Sequence, residues 1–294
     1  MRLTTIVLVA LSLLLGSCGG KKADEKPAAP VDSIPKTKTL VLYYSQTGAT
    51  KEVAEEIRKQ LGADIDSITA TEPYNGDYDA TIKRWEDERQ KGKNPKINPL
   101  KVNVNDYDTI FFGFPIWGGT YALPVKTFLT DNSLEDKTII TFATFGSGGL
   151  EPATKDVAIA QPKSSVREGY GIRNARLKKA PEEINRFLIE NGYKQGDIET
   201  LPEYDAPEAV NAATKAIFTK ATAGYKYPLG SPVKVAKRTY KGTTDYKYDV
   251  KNLLKGGDQA FSIVYVTVDS VDNKPEFTRV VSNGIVKKEN KTSK

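Results

Sequence analysis

Residues 45–50, Ser45-Gln46-Thr47-Gly48-Ala49-Thr50, place three hydroxyls beside a glycine, with no charge until Lys51. The apolar run "LVLYY" precedes them and a helical stretch, "TKEVAEEIRKQLG", follows. At a helix N-terminus the first N–H groups lack intrahelical partners and the helix dipole favours negative charge. A phosphate is the ligand such a loop suits, held by those N–H groups and by the hydroxyls of Ser45, Thr47 and Thr50. The loop has neither the Gly-x-x-x-x-Gly-Lys-[Ser/Thr] nor the Gly-x-Gly-x-x-Gly spacing, which points to a terminal monophosphate. A plain polar turn would account for one such loop, so two further segments carry weight. "FPIWGGTYALP" sets Pro115, Ile116, Trp117 and Tyr121 around Gly118 and Gly119, and "TFGSGGLEP" offers Thr144 and Phe145 followed by Gly146, Ser147, Gly148 and Gly149. Aromatic rings stack on a flat ligand, and glycines let backbone approach its edges. The three loops together suit a flat aromatic ligand with a phosphate tail.

Composition removes whole classes of chemistry. The 294 residues contain no histidine and one cysteine, Cys18. Histidine bases and ligands, Ser-His and Cys-His nucleophiles, intramolecular disulfides and cysteine zinc sites are therefore excluded. Met1 and Arg2 open a short basic start, "LTTIVLVALSLLL" is too short to span a bilayer comfortably, and Leu15-Gly16-Ser17-Cys18 ends it. That pattern reads as a secretory signal over 1–17, and it resembles the lipobox of bacterial lipoproteins, which implies lipidation at Cys18. Residues 18–37 are rich in Gly, Lys, Ala and Pro and read as a tether.

The elements that must position the loops alternate. Apolar runs at 39–45, 63–70, 108–115, 137–144 and 164–172 are each followed by an amphipathic stretch, the pattern of a parallel sheet covered on both faces. In the first helix Val53, Ile57 and Leu61 recur at i, i+4 and i+8, with Thr50 expected as N-cap and Gly62 as terminator. The three loops then fall at the C-terminal ends of the first, third and fourth strands, where α/β sheets bind small ligands. Residues 71–100 interrupt the rhythm with Tyr74, Tyr78, Trp85, Pro95 and Pro99. Beyond about 200 the character changes: a helix, with Val210, Ala213, Ile217 and Ala221 expected on one face, precedes four antiparallel strands. Residues 201–294 hold 16 Lys/Arg against 10 Asp/Glu, while the first 200 are balanced. A basic segment of this kind suits an acidic partner or lipid headgroups, or is simply solvated. The expected division is 38–195 for an α/β domain and 196–294 for a smaller α+β or mostly-β domain.

"YYSQTGATKEVA" resembles the phosphate-loop pattern of the flavodoxin family, matched by Ser45, Thr47, Gly48, Thr50 and Ala54. "EPYNGDYDATIKRWEDE" and "GFPIWGGTYALPVKTFL" are similar to its bacterial branch with a Tyr-rich insertion after the second strand. The resemblance covers about residues 38–195. It implies a flavodoxin-like, doubly wound five-stranded parallel sheet in the order 2-1-3-4-5, noncovalent FMN and electron transfer. That branch usually carries two adjacent tryptophans; here the second is Gly118, and Phe145 or Tyr121 is expected to supply the missing stacking surface. The expected protein is an FMN-binding electron-transfer flavoprotein, exported and lipid-anchored to a bacterial membrane, the outer membrane favoured, with an unidentified redox partner and no nucleic acid. The alternative is a non-redox binding or scaffold lipoprotein whose α/β domain no longer holds FMN.

Overall fold

The computed structural model describes residues 38–74, 77–146, 148–197, 200–225, 227–254 and 258–286. Cys18, the signal segment, the tether and Ser147 lie outside the described residues. Strand β1 (Thr39–Tyr44) pairs in parallel with β2 (Asp64–Ile68) and β3 (Thr109–Trp117), β3 pairs with β5 (Thr138–Phe145), and β5 pairs with β6 (Ser165–Arg173). The order β2-β1-β3-β5-β6 is the expected 2-1-3-4-5 arrangement, since β4 (Thr120–Tyr121) only folds back antiparallel on the end of β3.

Both faces of the sheet are covered, which explains its unbroken apolar runs. On one face α1 (Ala49–Leu61) and α5 (Ala180–Glu190) bury Val53, Ile57, Ile184 and Leu188 against Val41, Phe111 and Phe142. On the other, α3 (Leu123–Asp131) and α4 (Glu151–Ala160) bury Val125, Phe128, Ala153 and Val157 against Leu42, Phe112 and Phe114. Gly113 is required by this packing: a Cβ there would meet the Phe142 ring at 2.1 Å. Between β2 and β3, α2 (Tyr78–Gln90) is capped by Asp77, whose carboxylate accepts from the Asp79 and Ala80 N–H groups.

The C-terminal sheet has the order β11-β10-β9-β8-β7 and is antiparallel throughout. Its strands are β7 (Glu208–Ala209), β8 (Ser231–Tyr240), β9 (Thr243–Leu253), β10 (Gln259–Asp269) and β11 (Pro275–Val286). Helix α6 (Ala212–Thr222) packs on one face, where Phe218 meets Tyr248 edge to face at 5.1 Å amid Val235, Val250, Val264, Val266 and Phe277. The helix begins later than expected because Asn211 and Thr214 form a reciprocal capping box. Val210 precedes the helix yet still packs on this core, Ala213 is exposed, and Phe218 is the buried anchor. Residues 37–294 form one compact unit. The two sheets are joined through Arg176, whose guanidinium lies 2.7 Å from Glu183 and 3.6 Å from Glu276, and through Lys179 and Asp269 at 3.4 Å. Among the described residues no helix is long and apolar enough to cross a membrane.

Candidate functional site

The loops after β1, β3 and β5 converge at the carboxyl edge of the parallel sheet around a cavity of about 760 Å³. Gln46, Thr47, Thr50, Pro115, Ile116, Trp117, Gly118, Gly119, Thr144, Phe145, Gly146, Gly148 and Gly149 all line it. Ser45, Gly48, Ala49 and Tyr121 do not.

Helix α1 starts at Gly48, which sits at φ +95 as the N-cap and offers no side-chain cap. Thr50 is therefore not the N-cap. It is buried, and its Oγ1 lies 2.8 Å from that of Thr144, tying the first loop to the third. Ser45 stabilises the turn instead, its Oγ accepting from the Lys51 N–H at 3.2 Å. Thr47 is exposed toward the cavity beside the N-terminus of α1. Gln46 is a brace: its Oε1 accepts from Tyr44 Oη at 2.9 Å and its Nε2 donates to the Tyr74 carbonyl at 3.0 Å. Both tyrosine rings pack edge-on against Trp117, at 5.9 and 5.0 Å. Burial pushes both phenols well above their ordinary range, and for Tyr74 the hydrogen bond to Glu88 adds to it. They remain neutral, as the supports of an aromatic wall should.

Trp117, Gly118, Gly119 and Thr120 form the turn between β3 and β4, with Trp117 paired to Thr120. Gly118 and Gly119 have φ of +57 and +89, the pair of positive angles that a type I′ hairpin turn demands. A Cβ on Gly118 would stand 2.5 Å from two indole carbons of Trp85. Trp85 thus occupies the space that the absent side chain vacates. The stacking expectation is corrected here. Phe145 borders the cavity but is 4% exposed, its ring in the core, and Tyr121 packs against Phe114 at 5.9 Å. The second aromatic at this edge comes from α2.

Tyr78, Thr81, Ile82 and Trp85 of α2 line the cavity, as do Asn174, Tyr225 and Tyr227. The α2 set recurs at i, i+3, i+4 and i+7, a helical face legible in the sequence. Tyr225 and Tyr227 follow α6 in a segment with no motif to mark it. Arg173 connects them to the glycine loop: its Nε donates to the Gly146 carbonyl at 3.1 Å, its Nη1 donates to the Phe277 carbonyl at 2.8 Å, and its guanidinium lies over the Phe277 ring at 4.5 Å and the Tyr225 ring at 5.7 Å.

The residues present fit a flat phosphorylated ligand. At Gly48, Gly119, Gly146, Gly148 and Gly149 no atom lies within 4 Å of where a Cβ would stand, so these backbone edges are open. The first loop carries no carboxylate to oppose an anion. Among the described residues no group of three or more His, Cys, Asp or Glu could hold a metal ion.

The sequence profile of the family described as Flavodoxin matches residues 38–188. Similar solved structures include candidate flavoproteins from Bacteroides eggerthii (28% identity, 52% of this chain and 96% of that one, TM-score 0.45) and Bacteroides uniformis (26%, 51% and 98%, TM-score 0.43). A Lactobacillus acidophilus flavoprotein, solved in complex with FMN, is 25% identical over 51% of this chain and 98% of that one, with a TM-score of 0.41. No curated protein matches the chain.

Proposed function

Because the chain belongs to the flavodoxin family, we propose that the carboxyl-edge cavity holds FMN noncovalently and that the protein transfers electrons in a bacterial envelope. The observation that carries this reading is the convergence of the phosphate, aromatic and glycine loops in one cavity. The N–H groups at the start of α1 and the Thr47 hydroxyl would take the terminal phosphate. Trp117 and Trp85 would flank the ring system, and the backbone at Gly146, Gly148 and Gly149 would face its edge. FMN, when bound, supplies the electron-transfer chemistry, and the chain supplies binding, orientation and electrostatics. Tyr44, Tyr74 and Gln46 hold the Trp117 indole in place, and Tyr225 and Tyr227 narrow the approach from solvent.

Lipidation at Cys18 would anchor this body to a membrane, the outer membrane favoured, facing the periplasm or the cell surface and an unidentified redox partner. The motivation is the Leu-Gly-Ser-Cys sequence after an apolar segment too short to span. Cys18→Ser is expected to move the protein from the membrane fraction to the soluble one; retention in the salt-washed pellet would count against the anchor.

The decisive experiment is the absorption spectrum of soluble protein starting at residue 19, before and after adding FMN. Flavin bands that stay with the protein through gel filtration are expected. One observation favours the second reading, a binding lipoprotein without FMN: the Trp85 ring lies against Gly118 inside the cavity. Colourless protein that takes up no added FMN would establish that reading instead.

A further inference from the structure

A second cavity, of about 470 Å³, lies between the segment 176–186 and the C-terminal sheet. It shares no lining residue with the first. Arg176, Lys179 and Arg186 stand on one wall, and Arg238, Lys241, Lys247 and Arg279 on the sheet opposite. The carboxylates that line it are Glu182, Glu183 and Asp245. Each is already engaged: Glu183 by Arg176 at 2.7 Å, Glu182 by Arg186 at 3.4 Å, and Asp245 by Arg238 at 3.0 Å and the Thr267 hydroxyl at 2.8 Å. Lys179 reaches Asp269 outside the cavity.

Lys247, Tyr265 and Arg279 are direct cross-strand neighbours on β9, β10 and β11. Among the described residues neither Lys247 nor Arg279 has a carboxylate within 4 Å. Their charges lie over aromatic rings, Arg279 over Tyr265 at 4.3 Å and Lys247 over Tyr204 at 6.0 Å. Burial pushes the Tyr204 phenol up to about 12, so it keeps its proton as a donor. Beyond 4 Å, Glu168 offsets part of the Arg279 charge. The remaining positive charge, gathered between low-dielectric walls, concentrates anions, and clefts between packed modules are where ligand pockets favour forming. A cavity walled on two sides suits a small molecule better than a bilayer surface or a duplex.

We propose that this cavity binds a small soluble polyanion, a molecule with two or more phosphate or carboxylate groups, through Lys247 and Arg279 on the sheet and the basic segment opposite. This assigns a ligand to the basic C-terminal segment, independently of what the first cavity holds.

The test is calorimetric titration of the mature chain with inorganic pyrophosphate and with citrate. Saturable one-site binding of at least one probe is expected, weakening as salt is added. Lys247→Gln/Arg279→Gln should bind about a hundredfold more weakly, about tenfold for each charge-assisted hydrogen bond removed. Lys247→Gln alone, at about tenfold, serves if the double variant misfolds. Thr47→Glu blocks the other anion-binding loop and should bind pyrophosphate as the parent does. Loss of binding in Thr47→Glu would place the anion at residues 45–50 and overturn the proposal. Unchanged binding in the lysine and arginine variants, or no saturable binding of either probe at millimolar concentration, would overturn it as well. Phosphatidylglycerol vesicles that capture the chain through Lys247 and Arg279, with free pyrophosphate unable to compete, would make the ligand a lipid headgroup and also refute it.

Discussion

Gly118 and Trp85 are a matched pair at the site, one residue empty where the other is full. Gly118→Ala meets two costs: about 1 kcal/mol for an L-residue at positive φ, and displacement of an indole whose atoms lie 2.5 Å from the new Cβ. The expected result is FMN binding weakened about tenfold or more by fluorescence titration. In a Trp85→Ala background the same substitution should cost only the backbone part; equal losses in both backgrounds would show that the two residues do not interact. Thr47 makes the complementary case for the phosphate. Thr47→Glu puts a carboxylate at the N-terminus of α1, where it takes the anion's place and repels a phosphate. FMN binding should vanish while the melting temperature stays near the parent's. Undiminished affinity would remove the phosphate from this loop.

Helix α2 carries the aromatic face that the sheet itself lacks, and a small polar latch sets its position. Tyr74 donates its hydroxyl proton to Glu88, Arg84 Nε donates to the same carboxylate at 2.8 Å, and Arg84 Nη1 reaches the carbonyls of Glu72 at 3.0 Å and Pro73 at 3.2 Å. The Arg84 guanidinium also covers the Tyr74 ring at 4.1 Å. One carboxylate therefore connects α2 to the tyrosine that supports Trp117. Glu88→Ala should cost about 2 kcal/mol, the scale of hydrogen bonds to a charged group, and should weaken FMN binding about tenfold. Hydrogen exchange would locate the effect: faster exchange is expected in 78–90 with β1, β3 and β5 unchanged. If α2 stays protected, the latch is not what holds it.

Across the whole molecule, Arg173 joins the end of β6 to both the glycine loop and the C-terminal sheet. Its two carbonyl acceptors, Gly146 and Phe277, belong to different sheets' surroundings, so its loss should loosen both. Arg173→Ala is expected to raise hydrogen exchange in the 145–149 loop and around Tyr225, and to reduce FMN affinity by about tenfold, since charge-assisted bonds are worth about 1.5–3 kcal/mol each when partners are left unmet. Both sheet cores should stay protected. Unaltered exchange in those two segments would mean that Arg173 is not what holds the C-terminal sheet, leaving Arg176–Glu276 and Lys179–Asp269 among its remaining ties.

The parallel sheet with helices on both faces, the cavity-lining loops after β1, β3 and β5, and the four long strands of the C-terminal sheet were legible in periodicity and local turn chemistry, which neighbouring residues determine. The strand order was implied by the resemblance to the flavodoxin family. The helical spacing of Tyr78, Thr81, Ile82 and Trp85 was equally visible, but nothing in a helix's periodicity says what its face will cover. Other readings depended on tertiary packing. Thr50 has the chemistry of an N-cap, yet folding spends its hydroxyl on Thr144, 94 residues away. Phe145 has the chemistry of a stacking ring, yet β5 is buried on both faces and takes it into the core. The partnership of Gly118 with Trp85, the arrival of Tyr225 and Tyr227 at the same edge, and the alignment of Lys247 with Arg279 across a strand are long-range outcomes. Each needs the closed register of a sheet or the docking of one module on another, and a contact between residues far apart in the chain leaves no pattern in the short windows where sequence is readable.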